Sequence, residues 1–138
     1  AGSELDGRTI PYDNSLEGLV SKKKDFIGKR SLNRTAFVAE DRQKVVGVVP
    51  IDKKTSIPEG SHLVKDAKAK LPNPKLGHVS ASCWSVEYNN PFSLAILHDG
   101  KNMIGQKLFA LSPLKNKSIP VEIVSSHYVD PKGERVRS

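Results

Sequence analysis

The stretch that most constrains the fold of this chain covers residues 77–98, where polar and apolar residues alternate on both sides of a short turn sequence. The part before the turn has the two-residue period of a half-buried strand, with Val79, Ala81 and Cys83 on one face and His78, Ser80, Ser82 and Trp84 on the other. The part after it places Phe92, Leu94 and Ile96 on one face and Ser93, Ala95 and Leu97 on the other. An isolated hairpin is marginally stable in water, so the rest of the chain must supply strands that cover its apolar side.

Four further stretches have the composition of strands. They are rich in β-branched or alternating apolar residues and are bounded by turn-forming residues; they cover residues 45–49, 62–64, 107–111 and 119–124. Gly47 interrupts the first of them and predicts a bulge or a close backbone approach. One short helix is expected over residues 25–35, with Asp25 as its N-cap. The chain is therefore expected to be mainly β, a small antiparallel barrel or jelly-roll-like domain of six or seven strands, preceded by a short segment with one helix.

Charge and cysteine content limit the classes of function. The net charge of +7, from 22 basic and 15 acidic residues, attracts polyanions or simply keeps the surface solvated, and both interpretations stay open. The single cysteine, Cys83, excludes an internal disulfide and a cysteine-cluster metal site, and its strand position indicates a small buried hydrophobe. No apolar run is long enough to cross a bilayer, and the first residues lack a signal-peptide pattern.

The residues offer no catalytic constellation. The four histidines are dispersed, and no phosphate loop, dinucleotide fingerprint or nucleophile elbow is present. Glu59 and Glu87 sit in turn sequences and are expected to be solvated. We therefore assign no catalytic residue and no metal ligand, and the chain is expected to bind or to cover rather than to catalyse alone. Residues 1–15 lack periodicity and resemble a connector, while Lys22, Lys23 and Lys24 form either an anion site or a solvated face.

Seven short motifs, taken in order, resemble the C-terminal part of the glycine cleavage T-protein (aminomethyltransferase) family. They are DFIGKRSL (25–32), VVGVV (45–49), PEGSHLV (58–64), GHVSASCWS (77–85), NPFSLAIL (90–97), IGQKL (104–108) and IPVEIV (119–124). The segments SKKKDFIGKRSL (21–32) and YVDPKGERV (128–136) are most similar to the end of the alpha subunit of heterotetrameric sarcosine oxidase. Aminomethyltransferases and dimethylglycine dehydrogenase share the same module and are the alternatives within the family.

This resemblance implies that residues 1–39 are the tail of a folate-binding aminomethyltransferase-like domain and that residues 40–138 form a C-terminal β-barrel. The implied reaction is the oxidative demethylation of sarcosine, in which tetrahydrofolate receives the one-carbon unit as 5,10-methylenetetrahydrofolate. The resemblance places FAD or FMN and NAD elsewhere in the parent complex, and the family's catalytic aspartate matches no residue of this sequence. It also implies a cytoplasmic location and, as partners, the upstream part of the subunit and the other subunits of a hetero-oligomeric oxidase, with no membrane.

Four residues are the candidates for folate binding. The family places a basic side chain just before the DFIG-type motif, which matches Lys24 or its neighbours Lys22 and Lys23, and a cation there suits the glutamate carboxylates of folate. Trp84 either borders the cleft or packs against a neighbouring domain. Two departures from the family pattern are Cys83, where the resemblance leads us to expect an aromatic residue, and Asn89-Asn90, where glycine with a basic residue is common.

Two functions of other classes remain as alternatives. The charge excess and the number of strands are compatible with a nucleic-acid-binding barrel, whose affinity would fall steeply with salt. The scarcity of aromatic residues available for base stacking counts against it. A purely structural domain that covers its own parent protein is the third possibility.

Overall fold

The structure, a computed structural model, describes residues 4–68 and 75–137. In this part of the chain six antiparallel strands form a closed barrel in the order β1-β4-β3-β2-β5-β6. The strands are β1 (Lys44–Pro50), β2 (His62–Val64), β3 (Gly77–Ser85), β4 (Asn90–Leu97), β5 (Lys107–Ser112) and β6 (Lys117–Val124). Short helical turns lie on either side in sequence, namely 3-10 turns at Glu17–Leu19 and Ser31–Asn33, α1 (Thr35–Val38) and α2 (Glu134–Arg137). The expected small antiparallel β-barrel is confirmed.

The main core cluster of the described residues lies in the barrel strands and the loops that connect them. Its members share burial below a tenth of their surface and lie between Val46 and Ile123; among them are Val48, Leu63, Val79, Leu97, Leu108 and Val121. Full burial of an aliphatic side chain of this size contributes about 1.5–3 kcal/mol relative to exposure. The barrel therefore carries its own hydrophobic core, and the segment before β1 is packed onto its outside.

A bulge at Ser80 reverses the faces of β3. The pairing with β4 shifts between Val79 and Ala81, so one extra residue is inserted and the two-residue alternation changes phase. Beyond the bulge, Ser82 faces inward, where its hydroxyl lies 2.9 Å from that of the buried Ser93 and donates to the carbonyl of Ile57 at 2.7 Å. His78 and Trp84, expected on one face, therefore lie on opposite faces of the strand.

The same change of phase corrects the prediction for Cys83. Cys83, expected to be buried on the apolar face, is exposed, because it pairs with Phe92 on the outer side of the barrel. On β4 the inner residues are Ser93, Ala95 and Leu97, each at most 1% exposed. The face carrying Phe92, Leu94 and Ile96 lies on the outer side of the barrel.

Gly47 confirms the expected close backbone approach. A Cβ atom at this position would lie 2.5 Å from the carbonyl oxygen of Ser125 and 2.7 Å from Cε2 of Phe92. The pairing of β1 with β4 and β6 runs through Gly47 without a shift, so the bulge alternative does not apply here.

The helix expected over residues 25–35 is wrong in its extent. Gly28 has a φ of 94°, which an α-helix cannot continue through, and the chain makes a turn there before the 3-10 turn at Ser31–Asn33. The four-residue helix α1 begins only at Thr35, after Arg34 in an extended conformation. Asp25 therefore does not cap a helix.

Residues 128–137 form a tail that contacts the β3–β4 hairpin. The carboxylate of Asp130 accepts hydrogen bonds from the backbone N–H groups of Glu134 and Arg135, at 2.9 and 3.1 Å, at the start of α2. Glu87, expected to be solvated, pairs with Arg135 at 2.6 Å. Tyr128 stacks on the Phe92 ring with centroids 4.8 Å apart. The tail is therefore fastened to the tip of the β3–β4 hairpin.

Candidate functional site

The three consecutive lysines lie on a loop that is closed by its own hydrogen bonds. The hydroxyl of Ser21 accepts from the backbone N–H of Lys24 at 2.9 Å, and the ammonium of Lys29 donates to the carbonyl of Lys24 at 2.7 Å. Lys29 also reaches the carbonyl of Lys22 at 3.5 Å. These bonds use the backbone of the loop and leave the side chains of Lys22, Lys23 and Lys24 exposed. We call residues 21–29 the lysine loop.

The lysine loop is net positive, because it carries four lysines and one carboxylate, Asp25. Within residues 4–68 and 75–137, none of its three consecutive lysines forms an ion pair with a carboxylate. An anion that approaches the loop therefore does not have to displace a partner from these ammonium groups. Such a site can bind carboxylates or phosphates by point-charge attraction.

Apolar side chains surround the lysine loop on the same segment. Ile27 is fully exposed, Leu19 is 81% exposed and Val38 is 54% exposed. Three large aliphatic side chains are thus exposed between residues 19 and 38. The segment before β1 thus combines a basic loop with an apolar surface that the described residues leave uncovered.

Trp84 lies away from the point where the segment before β1 joins the barrel. It is 54% exposed and pairs with Pro91 near the hairpin end of β4. The segment before β1 is instead attached near Val45, which pairs with Ile96 at the other end of the strand. At about 3.3 Å per residue, the two places are separated by roughly 15–20 Å along β4. The three lysines share one loop, and Trp84 lies beside the opposite end of β4 from the point where their segment joins the barrel.

A groove between the first segment and the barrel was not indicated by sequence. Its volume is about 340 Å³, and its lining includes Tyr12, Glu17, Phe37, Lys44 and Lys101. Lys44 and Glu17 form an ion pair across it at 3.2 Å. These residues are far apart in the sequence and carry no motif, so only the docking of the segment on β1 reveals the groove.

Two histidines are neighbours on the barrel surface, but they do not form a metal centre. His62 of β2 lies directly opposite His78 of β3. Burial lowers the pKa of His78 below its usual 6.5, and the nearby positive charge of Lys75 acts in the same direction. Among the described residues, no three His, Cys, Asp or Glu side chains are placed to hold a metal ion. Nor does any helix in those ranges have the length and apolar character to cross a membrane.

Comparison with curated proteins finds relatives along almost the whole chain. It is 36% identical over 136 residues to the sarcosine oxidase subunit alpha of Rhizobium meliloti (strain 1021). It is also 37% and 35% identical to the subunits of the same name from Corynebacterium sp. strains U-96 and P-1. Each match covers 97% of this chain and 14% of the relative. The chain thus spans about one seventh of the length of the curated relatives it matches.

A solved structure has the same fold. The aminomethyltransferase T of the glycine cleavage system from Bartonella henselae superimposes with a TM-score of 0.69, covering 92% of this chain and 34% of that chain. At 18% identity this likeness concerns the fold alone. No protein-family model matches the chain.

Proposed function

This chain is a homologue of the sarcosine oxidase alpha subunits, as the order of its motifs predicts, and on that basis we propose that it is the C-terminal part of such a subunit. The proposed reaction of the parent enzyme is the oxidative demethylation of sarcosine, with tetrahydrofolate receiving the one-carbon unit as 5,10-methylenetetrahydrofolate. The observation that carries the proposal is 35–37% identity sustained over 97% of the chain. An aminomethyltransferase or a dimethylglycine dehydrogenase is the alternative parent.

In this proposal the chain is a supporting module and performs no chemical step of its own. We assign the oxidation, with its FAD or FMN and NAD, to other parts of the assembly. The partners are then the remainder of the subunit and the other subunits of the oxidase, and the location is the cytoplasm. The relatives are about seven times as long as this chain. Their additional length can form the remainder of the subunit.

The uncovered apolar surface before β1 supports a division of the chain into two parts. We propose that residues 1–39 complete a folate-binding domain, while residues 40–138 form the barrel beside it. Exposed Leu19, Ile27 and Val38 would then be buried against the rest of that domain. At about 25 cal/mol per Å² of apolar surface, burial of three such side chains makes a substantial contribution to docking.

Tetrahydrofolate fits the lysine loop through its glutamate carboxylates. The exposed ammonium groups of Lys22, Lys23 and Lys24 are unpaired within the described residues, so they can bind those carboxylates without losing an existing ion pair. Lys24 is the leading candidate, since its carbonyl is held by Lys29 at 2.7 Å and its backbone position is therefore defined. When bound, tetrahydrofolate supplies the nitrogen atoms that accept the one-carbon unit. The lysines of this chain only hold and orient its carboxylate tail.

The position of Trp84 supports a folate contact less well than the positions of the three lysines do. It is half exposed but stands roughly 15–20 Å along β4 from the place where the lysine-bearing segment is attached. A cleft that reached both would have to run along the barrel side. We therefore propose that Trp84 packs against a neighbouring domain.

Calorimetric titration of tetrahydrofolate into the full-length parent protein tests the lysine assignment. Lys24→Ala should weaken binding by about tenfold or more, because a hydrogen bond to a charged group contributes about 1.5–3 kcal/mol. Lys115→Ala is the matched control, since Lys115 is an exposed turn lysine beyond β5. An unchanged affinity in Lys24→Ala, with Lys22→Ala and Lys23→Ala also unchanged, would remove the lysine loop from the folate site.

A separate measurement tests the supporting role. The isolated chain should show no oxidation of sarcosine and no transfer of a one-carbon unit to tetrahydrofolate, with the intact oxidase as the positive control. Turnover by the isolated chain would refute the assignment of the chemistry to other parts of the assembly.

A further inference from the structure

The guanidinium of Arg42 binds three residues, Arg8, Asp13 and Ala36, just before the start of β1. Its Nε donates to Oδ1 of Asp13 at 2.8 Å and its Nη2 donates to Oδ2 at 2.5 Å. Nη1 donates to the carbonyl of Ala36 at 2.9 Å, and Nη2 also reaches the carbonyl of Arg8 at 3.3 Å. The carbon of the guanidinium lies 5.2 Å from the centre of the Phe37 ring. Arginine presents several donors in one rigid plane, which suits it to such a junction.

Asp13 connects the Arg42 junction to strand β1 of the barrel. It is 4% exposed, and its backbone carbonyl accepts a 2.7 Å hydrogen bond from the N–H of Val45 in β1. Its carboxylate also accepts from the N–H of Ile10 at 3.0 Å. A buried carboxylate that is paired twice by one arginine and again by the backbone has a fixed position. The junction is therefore rigid on the barrel side.

The lysine loop has few other connections to the barrel. Its hydrogen bonds, including those that Leu32 and Asn33 donate to the carbonyls of Gly28 and Lys29, stay within residues 21–33. Within the described ranges, the hydrogen bond that joins residues 21–40 to the rest of the chain is the one from Arg42 to the carbonyl of Ala36. The stacking of Arg42 against Phe37 reinforces the same point. Other ties, such as that of Ser15 to Val45 at 3.4 Å, lie earlier in the segment.

From this arrangement we propose that Arg42, held by Asp13, is a positioning residue that sets where the lysine loop stands relative to the barrel. It does so without touching any ligand. The inference rests on the proposed function for its significance, because a displaced loop would present Lys24 to folate in the wrong place. Its structural content is independent of folate and can be measured without it.

The chain provides a convenient pair of positions for a distance measurement. Cys83 is its single cysteine and is exposed on the barrel, and Lys23 is exposed on the lysine loop. Nitroxide labels on Cys83 and on a cysteine replacing Lys23 report the loop-to-barrel distance by double electron–electron resonance. In the Lys23→Cys chain one narrow distance distribution is expected.

Removal of the junction should broaden that distribution while the barrel stays folded. Arg42→Gln and Asp13→Asn should both widen it, and Arg42→Lys should restore it in part, because lysine keeps the charge but loses the fork. Hydrogen exchange at the Phe37 and Val38 amides, both bonded to the carbonyl of Arg34, should accelerate by about tenfold or more. Amides of β1 and β4 should keep their protection, which shows that a variant has folded.

Arg8→Gln is the matched control. Arg8 also pairs with an aspartate, Asp6 at 2.9 Å, but its side chain is 89% exposed, and an exposed pair of this kind contributes little. Its distance distribution should equal that of the starting chain. An unchanged distribution in both Arg42→Gln and Asp13→Asn would overturn the positioning role, whether or not the chain binds folate. Broadening without any loss of folate affinity in the parent protein would keep the junction and count against the proposed lysine site.

Discussion

Gly47 provides the sharpest test of the barrel's packing. A methyl group at this position in β1 would lie 2.5 Å from the carbonyl oxygen of Ser125, 2.7 Å from Cε2 of Phe92 and 2.8 Å from Cγ2 of Val124. All three distances are well inside van der Waals contact. Relief requires either the end of β6 or the Phe92 ring to move, and Phe92 is stacked on Tyr128 with an interplanar angle of 10°. Either movement costs free energy, because it disturbs existing contacts.

The expected cost of Gly47→Ala follows from these contacts. Overpacking of a core costs about 1–3 kcal/mol, and loss of an aromatic pair costs about 0.5–1.5 kcal/mol. A gain of about 0.4–1 kcal/mol from the less flexible unfolded chain offsets part of this. The net loss is roughly 2–3 kcal/mol, which corresponds to a fall in Tm of roughly 10–20 °C for a domain near 100 residues.

Urea unfolding followed by circular dichroism measures the loss directly. Gly18→Ala is the control, because Gly18 has open space around its added Cβ and a backbone conformation that alanine adopts. Phe92→Leu, which removes the ring atom in the way, should recover part of the stability in the double variant with Gly47→Ala. If Gly47→Ala and Gly18→Ala differ by less than about 0.5 kcal/mol, the close-approach reasoning is wrong.

Three further predictions test other parts of the structure. Cys83 should react with a thiol reagent in the native chain nearly as fast as in urea, because the Ser80 bulge turns it outward; strong protection would contradict the observed register. His78 has a folded-state pKa below its usual 6.5, so as pH falls below 6.5 the unfolded chain binds a proton more readily than the folded chain does. The contribution of His78 to the free energy of unfolding should therefore be complete above pH 6.5 and fall as pH decreases through that value. In urea unfolding at several pH values, His78→Gln should abolish this pH dependence. Asp52 has its pKa lowered to about 2 from 3.8, chiefly by the hydroxyl of Thr55, so its contribution should be present above 3.8 and lost as pH falls towards 2; an equal acid response in Asp52→Asn would refute this.

The strands were predictable because their signal is local. Alternation and turn residues placed β2 at residues 62–64, as observed, and the other strands within a few residues of their ends. Asn89 and Asp99, in the expected turns, have positive φ values of 51° and 54°, a conformation that Asn and Asp tolerate better than most residues. The close approach at Gly47 was also predictable, since a glycine inside a β-branched run commonly marks a place where another part of the chain comes near.

The faces of the hairpin were not predictable, because the bulge lies in a sequence that alternates on both sides of it. Ser80, Ala81 and Ser82 are small enough to fit either face, and the buried Ser82–Ser93 pair satisfies its own hydroxyl groups. The sequence pattern alone therefore placed Cys83 on the wrong face and put His78 and Trp84 on the same face. A similar limit applies to the junction of Asp13 and Arg42, which lie 29 residues apart in the sequence; nothing in either local sequence indicates the pairing.

The shortness of β2 has a consequence for how the barrel assembles. Strands β3 and β4 pair from Gly77–Leu97 to Ser85–Asn90 around a short turn, and β5 and β6 form a second hairpin. These local pairings close small loops and form quickly. By contrast, the described β2–β3 ladder has two residue pairs, His62–His78 and Leu63–Gly77, flanked by backbone hydrogen bonds that Val79 and Leu76 donate to Ser61 and Leu63. We expect this short seam to close last during folding and to open first on local unfolding, while β1 still joins the two hairpins through β4 and β6.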